Sequence, residues 1–198
     1  MHTAAFTLGP EGWLALETGV THQPSPNYDR RSPAAPIDLL VLHNISLPPG
    51  QFGGPEVAQL FLNQLPATGH PFFAQLQGLR VSSHFFVRRD GSVIQFVSTL
   101  DRAWHAGVSF YEGRTRCNDF SIGIEIEGTD DLPYEEAQYQ TLTQLTAALR
   151  ARHPLRAVRG HEHIAPVRKT DPGPAFNWQR YARQAAWLPH QLPESQRP

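Results

Sequence analysis

The sequence predicts a single α/β domain, a mixed β-sheet with helices packed on it. Three observations predict it: a near-continuous apolar run at 37–42, a strict apolar/polar alternation at 121–128, and a change to helical periodicity between Pro133 and Arg152. Strands interleaved with helices imply a sheet layered by helices. A chain of 198 residues supports one sizeable core and is short for two, so residues 1–198 are expected as one domain.

In chain order, MHTAAFTLGPEGWLALETG has no Lys or Arg before its apolar residues, and Pro10, Glu11 and Glu17 interrupt them. It does not read as a secretion signal. No stretch reaches the ~20 apolar residues of a membrane span, so the cytoplasm is the expected address. Residues 18–36, TGVTHQPSPNYDRRSPAAP, are polar and proline-broken and are expected to run over the surface as an extended lead-in, with the core beginning after them. Ile37 to Leu42, apolar on both alternating faces apart from Asp38, suits a central strand covered on both sides. SLPPGQFGGP follows as a loop, and Pro55 opens a short helix through Asn63.

VSSHFFVRRDGSVIQFVS holds two strand-like runs about Asp90-Gly91, a hairpin signal. SIGIEIEG places Ile122, Ile124 and Ile126 on one face of a strand and Gly123, Glu125 and Glu127 on the other. Leu142, Leu145 and Leu149 then lie along one helical stripe, with Pro133, Glu135 and Glu136 suited to the first turn. A last helix is expected over Trp178 to Trp187, and the tail LPHQLPESQRP is expected to be flexible and unstructured.

Composition excludes several partner classes. A formal net charge of -1 and a pI near 6.8, with no run of Lys or Arg, leave no field to draw in nucleic acid or an anionic membrane. Cys117 is the one cysteine, which rules out an internal disulfide and a cysteine-rich zinc knuckle and suits a buried, inert thiol in a reducing compartment.

Of ten histidines, His2, His22, His70, His153 and His190 lie in polar or terminal contexts and are expected to be exposed. His43 ends the predicted central strand, and ligands of open α/β sheets gather beyond such ends; a core histidine bonded to backbone is the alternative. His161 follows Ala157-Val158-Arg159-Gly160, a second candidate strand end. Asp171 precedes Pro172, which biases its backbone towards an extended conformation. In an extended run Lys169 and Asp171 leave the same face; an exposed ion pair or an ordinary turn is the alternative.

Two histidines and one carboxylate form a common catalytic zinc set with the fourth position open. His163 would share a face with His161 in an extended segment, so spacing admits either His163 or Asp171 as the third ligand. Glu125 or Glu127 would complete such a site, because hydrolysis needs a base for water and a donor for the leaving group; carboxylates on a solvated strand face are the commoner case. Cys117, in GRTRCNDF, lacks the flanking residues of a cysteine hydrolase, and neither a G-x-S-x-G elbow nor a phosphate-cradling Gly-Lys-Ser/Thr loop occurs.

LLVLHNISLPPGQFGG, HPFFAQLQGLRVSSHFFVRRDG, RAWHAGVS, RCNDFSIGIEIEGTD and GHEHIAPVRKTDPGPAF together resemble the AmpD-type 1,6-anhydro-N-acetylmuramoyl-L-alanine amidases. These are cytoplasmic enzymes of the type 2 N-acetylmuramoyl-L-alanine amidase family, related to the peptidoglycan recognition proteins. The resemblance spans about Trp13 to Tyr181 in matching order. It implies a zinc amidase core at 30–185 that binds one zinc ion through His43, His161 and Asp171, with His163 as a neighbour. It also implies Glu125 and Lys169 as catalytic residues, Asn44, Arg80 and Arg116 around the substrate, and His84 and His105 as scaffold of the pocket. The implied reaction is hydrolysis of the amide between the lactyl group of anhydro-N-acetylmuramic acid and L-alanine of a small muropeptide, in cell-wall recycling. In hosts with an inducible β-lactamase, loss of that activity would derepress it. A peptidoglycan-binding module without catalysis and a wall-degrading periplasmic amidase are the rival readings; the presence of all five metal and catalytic residue types opposes the first, and the lack of an export signal opposes the second.

Overall fold

The computed structural model describes residues 6–32 and 35–196. The first five residues of the amino-terminal stretch, with His2, and the last two of the tail lie outside the described residues, as do Pro33 and Ala34 of the lead-in. In chain order the strands are β1 (Val20–His22), β2 (Tyr28–Arg30), β3 (Leu39–Ile45), β4 (Phe85–Val87), β5 (Val93–Gln95), β6 (Asp101–Ala103), β7 (Phe110–Tyr111), β8 (Arg114–Thr115), β9 (Ser121–Glu127) and β10 (Ala157–Gly160). The α-helices are α1 (Glu56–Phe61), α2 (Pro71–Gln75), α3 (Glu136–Arg152), α4 (His161–Ile164) and α5 (Trp178–Gln184).

A six-stranded mixed sheet, ordered β1-β5-β4-β9-β3-β10, forms the centre. Only the β4–β5 hairpin pairs antiparallel within it; β1 with β5, β4 with β9, β9 with β3 and β3 with β10 are parallel. Parallel strands buried on both faces need apolar residues at consecutive positions. Accordingly Leu39, Leu40, Val41 and Leu42 of β3 are all 0% exposed. The strand starts two residues later than the apolar run and continues through His43 to Ile45, so His43 lies inside it, near its carboxyl end.

The alternation in β9 sorts its two faces. Ile122, Ile124 and Ile126 pack with Leu142, Leu145 and Leu149 of α3 and with Trp178 and Tyr181 of α5. Each of these isoleucines and leucines is fully buried, a burial that stabilises by about 1.5–3 kcal/mol per side chain. Glu135 caps α3 in a capping box with Gln138, which receives the Glu135 N–H at 2.9 Å. The same buried Gln138 donates to the Glu127 carbonyl at 2.9 Å and so ties the start of α3 to the end of β9. On the opposite face, α1 and α2 cover Phe86 and Ile94, while Ala106, Cys117, Phe120 and Ile164 cover Leu39 and Val41. Cys117 is free and buried, and burial pushes its thiol up.

Residues 18–36 do more than lead in: β1 is an edge strand of the central sheet and β2 pairs with β6. The tail also departs from expectation. Pro189–Gln191 and Glu194–Gln196 form short 3-10 turns, and Leu192 is buried in the core that α3 and α5 share. No helix among the described residues is long and apolar enough to cross a membrane.

Candidate metal centre and catalytic cleft

The parallel register places β3, β9 and β10 side by side with their carboxyl ends at one edge of the sheet. His43 of β3 stands opposite Glu125 of β9 in that register, and β10 ends at Gly160, directly before His161 opens α4. Side chains from three adjacent strand ends thus meet in a cleft of about 570 Å³. His43, Glu125, His161, Lys169 and Asp171 line one side of it, and Leu47, Phe61, Phe72, Leu76, Leu79 and Trp104 line an apolar wall.

Asp171 arrives from a separate loop that is clamped by its neighbours. Its carbonyl accepts from the Glu162 N–H at 3.0 Å. The Pro172 ring lies against Gly160, where a Cβ would stand 2.6 Å from Pro172 Cδ, so only glycine leaves room. The Pro172 carbonyl accepts from Tyr134 Oη at 2.8 Å and from Asn44 Nδ2 at 3.1 Å, and Asn44 Nδ2 also donates to Asp130 Oδ1 at 2.7 Å.

The outcome is a triangle of donor atoms. His43 Nδ1 lies 2.9 Å from His161 Nδ1 and 3.0 Å from Asp171 Oδ2, and His161 Nδ1 lies 3.1 Å from the same oxygen. Among the described residues these three form the group able to hold a metal ion. The His161 Nε2–H donates to the Ala106 carbonyl at 3.0 Å, which leaves a lone pair on Nδ1 of the neutral ring. That lone pair faces a carboxylate oxygen and a second imidazole nitrogen, an arrangement that a cation relieves. The edges fall within a few tenths of an ångström of the ~3.3 Å that separates ligand atoms around tetrahedral zinc. The donor set therefore fits zinc.

Electrostatics agree with that fit. Burial, with His161 beside it, pulls His43 down to about 4, so the ring is neutral near pH 7, the form that ligates. Burial pushes the Asp171 carboxyl up, but the adjacent His161 and His43 rings outweigh this and hold it well below the usual range. Glu125 goes the other way: burial and then the Asp171 charge raise it well above the usual carboxylate range, with Lys169 opposing them. Its Oε2 is buried and has no hydrogen-bond partner among the described residues.

The sequence-predicted residues divide clearly. His163 is not a third donor, because residues 161–164 are helical rather than extended and positions two apart no longer share a face. Its Nδ1 accepts the Gly160 N–H at 2.9 Å, and its ring meets Trp178 edge-on. Glu127 turns to the loop beyond β3, accepting from the Gly53 and Arg89 N–H groups at 2.6 and 3.0 Å. Asn44 lines the cleft with its amide engaged by Asp130 and Pro172.

Arg80 and Arg116 are not brought to the cleft. Arg80 is exposed beside it, its guanidinium near the Leu79 carbonyl. The Arg116 side chain is 71% exposed and paired with Asp119 at 3.2 Å, on backbone of positive φ. His84 lies behind the site, where its Nδ1 accepts the Gly123 N–H at 3.0 Å. The apolar wall escaped sequence reading; its signals, Phe61, Phe72 and Leu76, are ordinary core residues until α1 and α2 are placed.

His153, expected to be exposed, is buried and bonded to Thr99 at 2.9 Å. Burial pulls both His153 and His163 down to about 4. The unfolded chain takes up protons on these rings below about pH 6.5, whereas the folded chain resists until near 4. Stability is therefore complete above about pH 6.5 and lost as pH falls through that window. The thermal midpoint should drop by several degrees between pH 7.5 and pH 5, and His153→Gln should flatten the drop; an unchanged slope in the variant would assign the acid sensitivity elsewhere.

The family model described as N-acetylmuramoyl-L-alanine amidase matches residues 33–174. The chain is 56% identical over 173 residues to the 1,6-anhydro-N-acetylmuramyl-L-alanine amidase AmpD of Citrobacter freundii, an alignment covering 86% of this chain and 91% of that relative. It superposes on a crystal structure of a selenomethionine derivative of AmpD with a TM-score of 0.84 and 54% identity, covering 88% of this chain and 97% of the other. A third likeness is to the amidase AmiD of Escherichia coli in complex with anhydro-N-acetylmuramic acid-L-Ala-D-γ-Glu-L-Lys, with a TM-score of 0.56 and 31% identity over 91% of this chain and 65% of that one.

Proposed function

Because the chain belongs to the N-acetylmuramoyl-L-alanine amidase family, we propose that it is a zinc-dependent hydrolase that cuts the amide between the lactyl group of anhydro-N-acetylmuramic acid and L-alanine of a muropeptide. The observation that carries this reading is the triangle of His43 Nδ1, His161 Nδ1 and Asp171 Oδ2 beside Glu125 in one cleft. The cleft volume of about 570 Å³ suits a small sugar-peptide, and the relative AmiD has been solved in complex with such a compound.

His43, His161 and Asp171 would hold the zinc, which when bound supplies Lewis acidity to a carbonyl and eases deprotonation of water near neutral pH. Glu125 takes the proton of the attacking water. Its buried, unbonded Oε2 and raised affinity for protons suit it to accept one and then release it. As the carbon–nitrogen bond breaks, Glu125 passes that proton to the departing alanine nitrogen, giving a lactyl carboxylate and a free amino terminus. Lys169 faces the same cleft and opposes the negative charge that develops on the carbonyl oxygen. Arg80 and Arg116 do not line the cleft and carry none of these proton transfers; their part in the proposal is to pair with carboxylates of the substrate's peptide.

Lys169→Ala is expected to lower kcat by roughly 10²–10³-fold with a smaller change in KM. A rise in KM alone would reduce Lys169 to a binding residue. The reading as a whole is tested by incubating the zinc-loaded protein with purified anhydro-muropeptide: it requires a new primary amine on L-alanine, and binding without cleavage would favour a recognition module. Muropeptide recycling in the cytoplasm belongs to the same proposal and rests on the likeness to AmpD. A deletion strain should accumulate anhydro-muropeptides in its cytosolic extract and, where an inducible β-lactamase exists, should express it constitutively.

A further inference from the structure

His105 is 8% exposed, lines the cleft and has both ring nitrogens engaged. Its Nδ1 lies 2.9 Å from His43 Nε2, and its Nε2 lies 3.1 Å from Ser121 Oγ. It is therefore no metal ligand itself. The His105 and Ala106 N–H groups donate to Asn118 Oδ1 at 3.2 and 2.7 Å, which fixes the segment that carries the ring. Gly123, on the same face of β9 as Glu125, leaves the space the ring occupies. A Cβ there would stand 2.5 Å from His105 Cγ and 2.6 Å from its Nδ1.

A neutral imidazole carries one N–H. For His43 to offer the Nδ1 lone pair to the triangle, its proton must sit on Nε2, where it needs an acceptor, and the acceptor within reach is His105 Nδ1. His105 then carries its own proton on Nε2 and donates it to Ser121 Oγ. His161 is oriented from the next residue, since its Nε2–H donates to the Ala106 carbonyl.

We propose that His105 is a positioning residue: backed by Ser121 and given room by Gly123, it selects the metal-binding tautomer and ring orientation of His43, so that one short segment, His105-Ala106, aligns both ligating imidazoles. The proposal rests on the reading that the triangle holds zinc. Outer hydrogen bonds of this kind fix ligand geometry and are typically worth 10–100-fold in metal affinity.

The test is zinc affinity, measured by competition with a chromophoric chelator, together with the visible spectrum of the cobalt-substituted protein. Wild type is expected to bind one zinc ion. His105→Ala should bind it 10–100-fold more weakly, with a changed cobalt spectrum. His105→Asn, whose Oδ1 can accept from His43 Nε2, should recover most of the affinity. Ser121→Ala, which does not touch His43, should weaken binding several-fold. Wild-type affinity in His105→Ala, or equal loss in His105→Ala and His105→Asn at matched thermal midpoints of the metal-free proteins, would overturn the positioning role while leaving the metal site intact. Failure of the wild type to bind zinc would overturn the metal reading and this proposal with it.

Discussion

Replacing Glu125 with Gln or Ala will lower kcat by roughly 10²–10⁴-fold while the protein still binds one zinc ion. The expectation follows from position: Glu125 is 8% exposed, stands opposite His43 in the sheet register and is not one of the three donors. Its environment makes a charged carboxylate costly, through burial first and the Asp171 charge second. Loss of the side chain therefore removes a proton carrier without removing a support of the fold. Turnover of anhydro-muropeptide, measured beside the metal content of the same sample, checks this. Undiminished activity would remove Glu125 from the mechanism; lost zinc would recast it as a support of the metal site. Glu127→Gln provides the contrast, because an amide oxygen still accepts from Gly53 and the site two residues away is untouched.

The second large effect concerns the metal. Chelation should abolish hydrolysis, and zinc should restore it. Asp171→Ala should weaken zinc binding by at least 10²-fold, because it removes an anionic donor and leaves His43 and His161 nitrogens facing each other at 2.9 Å. Zinc held by the triangle would bind the folded chain and find no preformed site in the unfolded one, so saturating metal would raise stability by about 4 kcal/mol at a thousand times its Kd. Thermal unfolding with and without zinc should separate clearly for wild type and by much less for Asp171→Ala. Activity that survives chelation with unchanged unfolding would contradict the role of the triangle.

Much of this arrangement was legible in the residues because short-range rules govern it. Consecutive apolar residues in β3 and the Ile122, Ile124, Ile126 alternation in β9 set which faces are buried, and the leucine stripe of α3 is a local periodicity. The Asp90-Gly91 turn needs a positive φ, which Gly91 supplies at +83°. What was not legible depends on distant partners. Residues 18–36 contain no strand signal of their own, yet Val20 to His22 pair with Val93 to Gln95, a hydrogen-bonding opportunity that only the assembled hairpin creates. Leu192 reads as tail until the core beneath α3 and α5 exists to bury it.

The site shows the same division. His43, Glu125 and His161 are strand-end residues, and a sheet brings strand ends together. The choice between His163 and Asp171 turned on whether 161–164 is extended or helical, which four residues do not decide by themselves. Arg80 and Arg116 carry the expected residue types, and where such long, exposed side chains point is set by their partners, here Asp119 for Arg116. His105 was visible in RAWHAGVS only as scaffold; its link to His43 spans 62 residues of chain and depends on Gly123 being small.

The measurement that tests the account most directly is anomalous diffraction at the zinc edge from crystals of the zinc-loaded protein. One anomalous peak bonded to His43 Nδ1, His161 Nδ1 and Asp171 Oδ2, with its remaining position open to the cleft beside Glu125, is the predicted result. A peak elsewhere, or a fourth protein side chain closing that position, would contradict it.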